Sequence, residues 1–237
     1  MEFFFSDNII DNIITLDSQE SKHCSKVLRK NIGDNIHVVD GKGTLYIGKI
    51  VLITKKKCEI SIISTQKNYN NKKYYIHIAI SPIKNHDRLE FFVEKSIEIG
   101  VDEISFIQCE RTLRKKIKLE RIRKIAVTAM KQTLKAKLPK INDVQLFGSF
   151  IDKCTNKSKF ICHLENEKRK NLFSYKETII KAKNNCILIG PEGDFTEKEI
   201  LLSKNFSFNP ISLGQSRLRT ETAGFVSCSM INMINEF

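Results

Sequence analysis

Two short stretches near the carboxyl end constrain this 237-residue chain most: Ile189-Gly190-Pro191-Glu192-Gly193-Asp194-Phe195-Thr196 and Leu213-Gly214-Gln215-Ser216-Arg217-Leu218-Arg219-Thr220-Glu221-Thr222-Ala223. Each sets glycine and polar groups directly after a short apolar run, which frees backbone amides and carbonyls to close around a small polar molecule. The run Cys186-Ile187-Leu188-Ile189 suits a strand buried on both faces. Gly190 and Gly193 permit positive φ and close backbone approach, and Pro191 biases Gly190 away from helix. Thr196-Glu197-Lys198-Glu199 matches a capping box and predicts a helix starting at Thr196. Strand, glycine loop and capped helix describe a structural turn as well as a ligand loop. A phosphate loop is excluded, because no G-x-x-x-x-G-K-[ST] occurs and Glu192 and Asp194 would repel phosphate. A ligand with some positive charge fits better.

In the second stretch, a short apolar segment leads through Gly214 into a polar run and then a final apolar segment. Ala223, Val226, Met230 and Met233 recur there at helical spacing, which predicts a helix with Thr220 or Thr222 as its N-cap. Arg219 and Glu221 then sit at a helix mouth, either as a surface ion pair or as functional groups.

Upstream, the pattern predicts a helix over 18–29, strands over 36–39, 44–53 and 58–63, and a turn at Asp40-Gly41-Lys42-Gly43, which together make a small, mainly β unit. Residues 66–73 are polar and rich in lysine and asparagine, and read as a linker. Beyond them, apolar runs at 75–80, 104–107, 159–164, 186–189 and 211–213 alternate with helical stretches, which predicts an α/β unit with a mostly parallel sheet.

The formal net charge of +13 and a pI near 9.4 point to a polyanionic partner or an acidic surface. The charge is concentrated: residues 110–140 hold twelve Lys or Arg against two Glu. Within this run Ile122, Ile125, Ala126, Ala129, Met130 and Leu134 mark the core face of a helix, and Arg121, Lys124, Lys131 and Lys135 fall opposite. A solvated face and a phosphate-binding face both have this pattern. No aromatic side chain interrupts the run, so it suits backbone positioning rather than base stacking.

Seven cysteines, an odd number without any C-x-x-C, suit a reduced, cytoplasmic compartment. Cys162 and His163 read as structural, and the scattered histidines form no metal constellation. No apolar stretch approaches a membrane span, and the amino terminus lacks a signal-peptide pattern.

The motif G-P-E-G-x-[FL]-T-x-x-E, followed by L-G-x-x-x-L-R-T-E-T-A, resembles the signature of the RsmE-type small-subunit ribosomal RNA uridine-N3 methyltransferases, a family of the knotted SPOUT class. Further matches run upstream: His23-Cys24-Ser25-Lys26-Val27-Leu28-Arg29, Arg88-Leu89-Glu90, Glu110-Arg111-Thr112 and Gln132-Thr133. The chain departs from the family pattern at Asp194, where a second glycine is usual, and at Gln215, Ser216 and Arg217. It departs again at Lys135 and at Phe3, where arginines are usual.

The resemblance implies an N-terminal PUA-like β-barrel RNA-binding domain over 1–68 and a SPOUT α/β trefoil-knot domain over 74–237, knotted over about 186–237. It implies a cytoplasmic homodimer that transfers the methyl group of S-adenosylmethionine to N3 of a uridine in 16S ribosomal RNA, within the small ribosomal subunit, with no metal and no membrane partner. A knotted 2′-O-ribose RNA methyltransferase and a non-catalytic RNA-binding assembly factor are the rival activities. Carried onto this chain, the cofactor residues are Leu164, Leu188, Ile189, Gly190, Pro191, Glu192, Gly193, Leu213, Gly214, Leu218 and Thr220. Arg219 would stabilise developing charge, and Glu221 would accept a proton or orient Arg219. His23, Arg29, Arg111, Lys115, Lys124, Lys131 and Lys135 would contact RNA.

Overall fold

The computed structural model describes residues 1–54, 56–164 and 169–237. The chain forms two compact units, Met1–Asn71 with Val127–Leu138, and Lys72–Ala126 with Pro139–Phe237.

The first unit contains β1 (Phe3–Phe5), β2 (Ile9–Ile10), β3 (Ile13–Leu16), α1 (Ser18–Lys22), β4 (Asn35–Val39), β5 (Leu45–Ile53) and β6 (Cys58–Gln66). Its sheet runs β1-β4-β5-β6-β3-β2, with β1 parallel to β4 and the remaining pairs antiparallel. Alternate residues turn inward, so Phe4, Leu16, Val38, Ile50 and Ile60 form one core with Cys24 and Cys58. At the Asp40 turn, Oδ1 accepts from Lys42 N at 2.7 Å and Thr44 N at 2.9 Å, which closes the β4–β5 hairpin.

The helix expected over 18–29 is shorter and less regular. Asp17 caps α1 by accepting from Gln19 N and Glu20 N, each at 2.8 Å. The chain then widens into a π-helical turn, His23–Val27, and Arg29 lies at φ 52°. Strands β1 to β3 are too short to announce themselves by periodicity. Residues 127–138, placed by sequence in the second domain, belong to the first unit because Gly43 N donates to Ala136 O at 3.0 Å and Leu138 N to Gly41 O at 2.8 Å.

The second unit comprises β7 (Tyr75–Ile80), α2 (His86–Ile99), β8 (Glu103–Gln108), the start of α3 (Leu119–Gln132), β9 (Lys140–Leu146), α4 (Phe147–Lys153), β10 (Ser158–Cys162), β11 (Lys170–Asn171), α5 (Lys176–Ala182), β12 (Asn184–Ile189), α6 (Glu197–Asn205), β13 (Asn209–Ser212) and α7 (Thr220–Glu236). The sheet order is β11-β13-β10-β12-β7-β8-β9, and every pairing among the described residues is parallel. The central strands β7 and β12 are buried on both faces, hence their unbroken apolar runs.

The topology brings the two glycine stretches together. All carboxyl ends lie at one edge of the parallel sheet, and α7 packs on β7, β12 and α2. Residues 213–219, leaving β13, therefore cross the carboxyl ends of β10 and β12. At the start of α7 the expected threonine cap is absent: Arg219 is the N-cap, with extended backbone and no side-chain bond, and Thr220 is the first helical residue. The buried face of α7 carries Ala223, Gly224, Ser227, Met230, Ile231 and Ile234, and Met233, expected inside, is exposed. Gly224 permits the close packing, because a Cβ there would lie 2.6 Å from the Phe92 ring of α2.

Candidate active site

Strand β12 delivers the first loop. Its alternation sends Leu188 into the core with Phe147, Phe150 and Phe195, whereas Ile189 reaches the cavity beyond the strand end. Phe195 is fully buried, with its ring 5.5 Å from that of Phe147, and anchors the loop. A Cβ on Gly190 would sit 3.1 Å from that ring, so the glycine serves close approach. Neither Gly190 nor Gly193 uses positive φ; the left-handed residue is Asp194, at φ 64°.

Three bonds pin Glu192, Gly193 and Asp194 to other segments. Lys84 N donates to Glu192 Oε1 at 3.0 Å, Arg111 Nη1 to Gly193 O at 2.8 Å, and Leu164 N to Asp194 Oδ2 at 2.6 Å. The capping box forms as expected at Thr196. Its Glu199 carboxylate also accepts Glu110 N at 2.9 Å, which ties the start of α6 to the segment after β8. The loop is thus held in shape by its own carboxylates and by Arg111, a condition for precise ligand binding.

Between this loop and residues 212–223 lies a cavity of about 490 Å³, within the range of small-molecule sites. Of the expected cofactor residues, Leu164, Ile189, Gly190, Pro191, Glu192, Leu213, Gly214, Leu218 and Thr220 line it; Leu188 and Gly193 do not. Arg219 and Glu221 also line it. Arg219 is exposed, whereas Glu221 is buried and pairs with Arg88 Nε of α2 at 3.8 Å. The Glu221 partner is therefore Arg88 rather than Arg219, a pairing between distant segments that no local pattern signals. Arg88 and Arg169 join the lining, and the motif Arg88-Leu89-Glu90 was the available cue for the first. Cys162 lines the cavity too; burial, with the Asp194 carboxylate adding to it, pushes its thiol up to about 12, so it stays protonated.

The residues expected to contact RNA separate. Arg111 holds the Gly193 carbonyl. Lys115, Lys124 and Arg29 are exposed, and Lys135 is half-buried just past α3. His23 Nε2 lies 2.9 Å from Glu2 Oε1. Lys131, expected on the solvent face, is half-buried and paired with Glu20, because this end of α3 packs within the first unit. His23 and Lys131 line a second cavity, of about 760 Å³, with Phe3, Lys22, Lys26 and Gln132. Its two acidic residues, Glu2 and Glu20, are the ones already paired. No helix among the described residues is long and apolar enough to cross a membrane.

A family model described as an RNA methyltransferase domain matches residues 70–232, and one described as an RNA methyltransferase PUA domain matches residues 16–63. The Ribosomal RNA small subunit methyltransferase E of Buchnera aphidicola is 31% identical over 93% of this chain and 88% of that protein. The Bacillus subtilis protein of the same name is 27% identical over 94% and 90%. A structure from Porphyromonas gingivalis described as a probable rRNA methyltransferase superposes with a TM-score of 0.90 at 34% identity, over 99% of this chain and 98% of that one. A structure from Legionella pneumophila described as a putative methyltransferase in complex with bound S-adenosylmethionine has a TM-score of 0.86 at 25% identity, over 98% of this chain and 96% of that one.

The α/β unit accordingly has the SPOUT-type architecture, preceded by a PUA-like unit. The cavity suits S-adenosylmethionine. Ile189, Leu213 and Leu218 offer apolar walls, and the Glu192 carboxylate suits a cation. Gly214, at φ 138°, leaves open the space a Cβ would fill. On sequence, fold and site together, the chain belongs to the RNA methyltransferase family that includes the Ribosomal RNA small subunit methyltransferase E proteins.

Proposed function

We propose that this protein methylates N3 of a uridine in 16S ribosomal RNA of the small subunit, acting as a cytoplasmic homodimer. The observation that carries the reading is the single cavity formed by the two glycine stretches, with Arg219 exposed in its lining. When bound, S-adenosylmethionine supplies an electrophilic methyl group on a sulfonium sulfur.

The chain's own residues have two tasks. N3 of uracil carries an imide proton and lies on the pairing edge, so the base must be unpaired before its nitrogen can attack. Arg219 stabilises the negative charge that spreads onto the uracil oxygens as that proton passes to solvent water. The pinned loop and residues 213–218 hold the donor in line, where orientation contributes about 7 kcal/mol or more. Glu221, balanced by Arg88, adds a buried carboxylate to the same wall.

RNA is held by the basic run, Lys115 and Lys124 included, and by the cleft of the first unit. There Lys22 and Lys26 face phosphates, with His23 and Lys131 beside them in the lining, each paired with a glutamate, and with Arg29 and Lys135 nearby in sequence. Arg111 acts by fixing the cofactor loop.

The test is product identification. Purified protein is incubated with S-adenosylmethionine and small-subunit RNA lacking the modification, and the RNA is digested to nucleosides for mass spectrometry. 3-Methyluridine is the expected product. A 2′-O-methylated nucleoside would assign the ribose activity instead, and absence of donor binding by calorimetry would leave an RNA-binding assembly factor.

A further inference from the structure

Asp194 occupies a backbone position that glycine would fill without strain. Its φ of 64° lies in the left-handed region, which aspartate tolerates better than most side chains. Its N–H donates to Pro191 O at 2.9 Å, which closes the turn regardless of side chain. The carboxylate therefore does something the turn does not require. Oδ1 accepts from Phe195 N at 2.8 Å, and Oδ2 accepts from Leu164 N at 2.6 Å.

Leu164 lies two residues beyond β10, and Asp194 lies in the loop after β12. Those strands are parallel neighbours, paired up to Cys162 and Ile189. Past that point the ladder ends and the two chains part around the cavity. Cys162, His163 and Leu164 form one wall, and residues 189–194 contribute another. The bonds from Lys84 and Arg111 fix the loop to the segments after β7 and β8. Among the described residues, the bond to Asp194 is the one that carries the end of β10 along with it.

We propose that Asp194 is a positioning residue for the methyl donor: its carboxylate clamps the end of β10 to the cofactor loop and sets the width of the cavity before the donor arrives. A charged acceptor makes a stronger bond to a backbone N–H than a neutral one does. Walls fixed in advance spare the donor the cost of ordering them. The inference rests on the donor occupying this cavity.

The test replaces Asp194 by Gly, which keeps the left-handed turn and removes the clamp, and by Asn, which keeps the shape and an acceptor. Calorimetry with S-adenosylmethionine and amide hydrogen exchange at Leu164 are the readouts, with steady-state kinetics beside them. Asp194→Gly is expected to weaken donor binding about tenfold, the effect of losing one hydrogen bond to a charged group. It should also raise the donor KM at nearly unchanged kcat and speed exchange at Leu164. Asp194→Asn should restore both affinity and protection to within about threefold. Wild-type affinity in Asp194→Gly overturns the proposal, and so does weakened binding with Leu164 protection intact, which would mean that the charge acts on the ligand directly. Should Asp194→Gly fail to fold, Asp194→Asn and the wild-type Leu164 amide decide: an unprotected amide in the wild type sinks the clamp. Failure of the wild-type protein to bind the donor would instead refute the assigned function, while exchange at Leu164 would still report on the clamp.

Discussion

Arg88 Nε of α2 stands 3.8 Å from Glu221 Oε1 in the first turn of α7, so the buried carboxylate in the cavity wall is balanced from another helix. Its neighbour Arg219 is left exposed at the same cavity. The pair distinguishes two side chains that lie two residues apart in sequence. Glu221 and Arg88 pair within the cavity wall, and Arg219 is exposed at its surface.

Arg219→Ala should therefore leave both the fold and donor affinity nearly intact, since Glu221 keeps its partner. Binding measured by calorimetry should stay within about threefold while methyl transfer falls by about a hundredfold or more. Parallel loss of donor binding would reassign Arg219 to the cofactor.

The capping box at Thr196 has a second function, because Glu199 also accepts Glu110 N at 2.9 Å. Thr196→Ala should cost about 1 kcal/mol, as a lost N-cap. Glu199→Ala should cost more, about 2–3 kcal/mol, since it also leaves the Glu110 amide unpaired. Urea denaturation of the two variants checks the order, and equal losses would show that the Glu110 bond contributes nothing.

His77 predicts a pH dependence of stability. It is buried, with Nε2 2.8 Å from Ser105 Oγ and Nδ1 3.2 Å from Asn156 Oδ1. Burial lowers its pKa, and Lys140 adds to the lowering; Glu103 and Asn156 pull the other way without winning. The unfolded chain begins to take up the proton near the ordinary value of about 6.5, whereas the folded chain resists. Stability from this site is therefore full above about pH 6.5 and declines as pH falls below it. The urea midpoint should drop between about pH 7.5 and about pH 5.5, and His77→Gln should flatten that drop. An identical slope in the variant would place the titrating group elsewhere.

Lys22 and Lys26 line the cleft of the first unit, whereas Lys131 is already committed to Glu20. Replacing Lys22 and Lys26 by Ala should reduce the salt dependence of RNA binding by about one log unit for each phosphate that the variant no longer neutralises. Donor affinity should not change. An unchanged salt slope would return these lysines to plain solvated surface.

Local chemistry in the chain was enough to specify the capping box at Thr196, the buried strand ending at Ile189 and the turn at Asp40, because each depends on neighbours within a few residues. Tertiary structure decided which distant segments meet. It put Arg88 on Glu221, Arg111 on Gly193, Asp194 on Leu164 and Lys131 on Glu20. It moved the cap of α7 to Arg219 and exposed Met233. Hydrophobic period and turn residues encode where an element begins and which face it buries. Strand order and the crossing of residues 213–219 over the sheet determine what that face meets, and those come only from packing the whole chain.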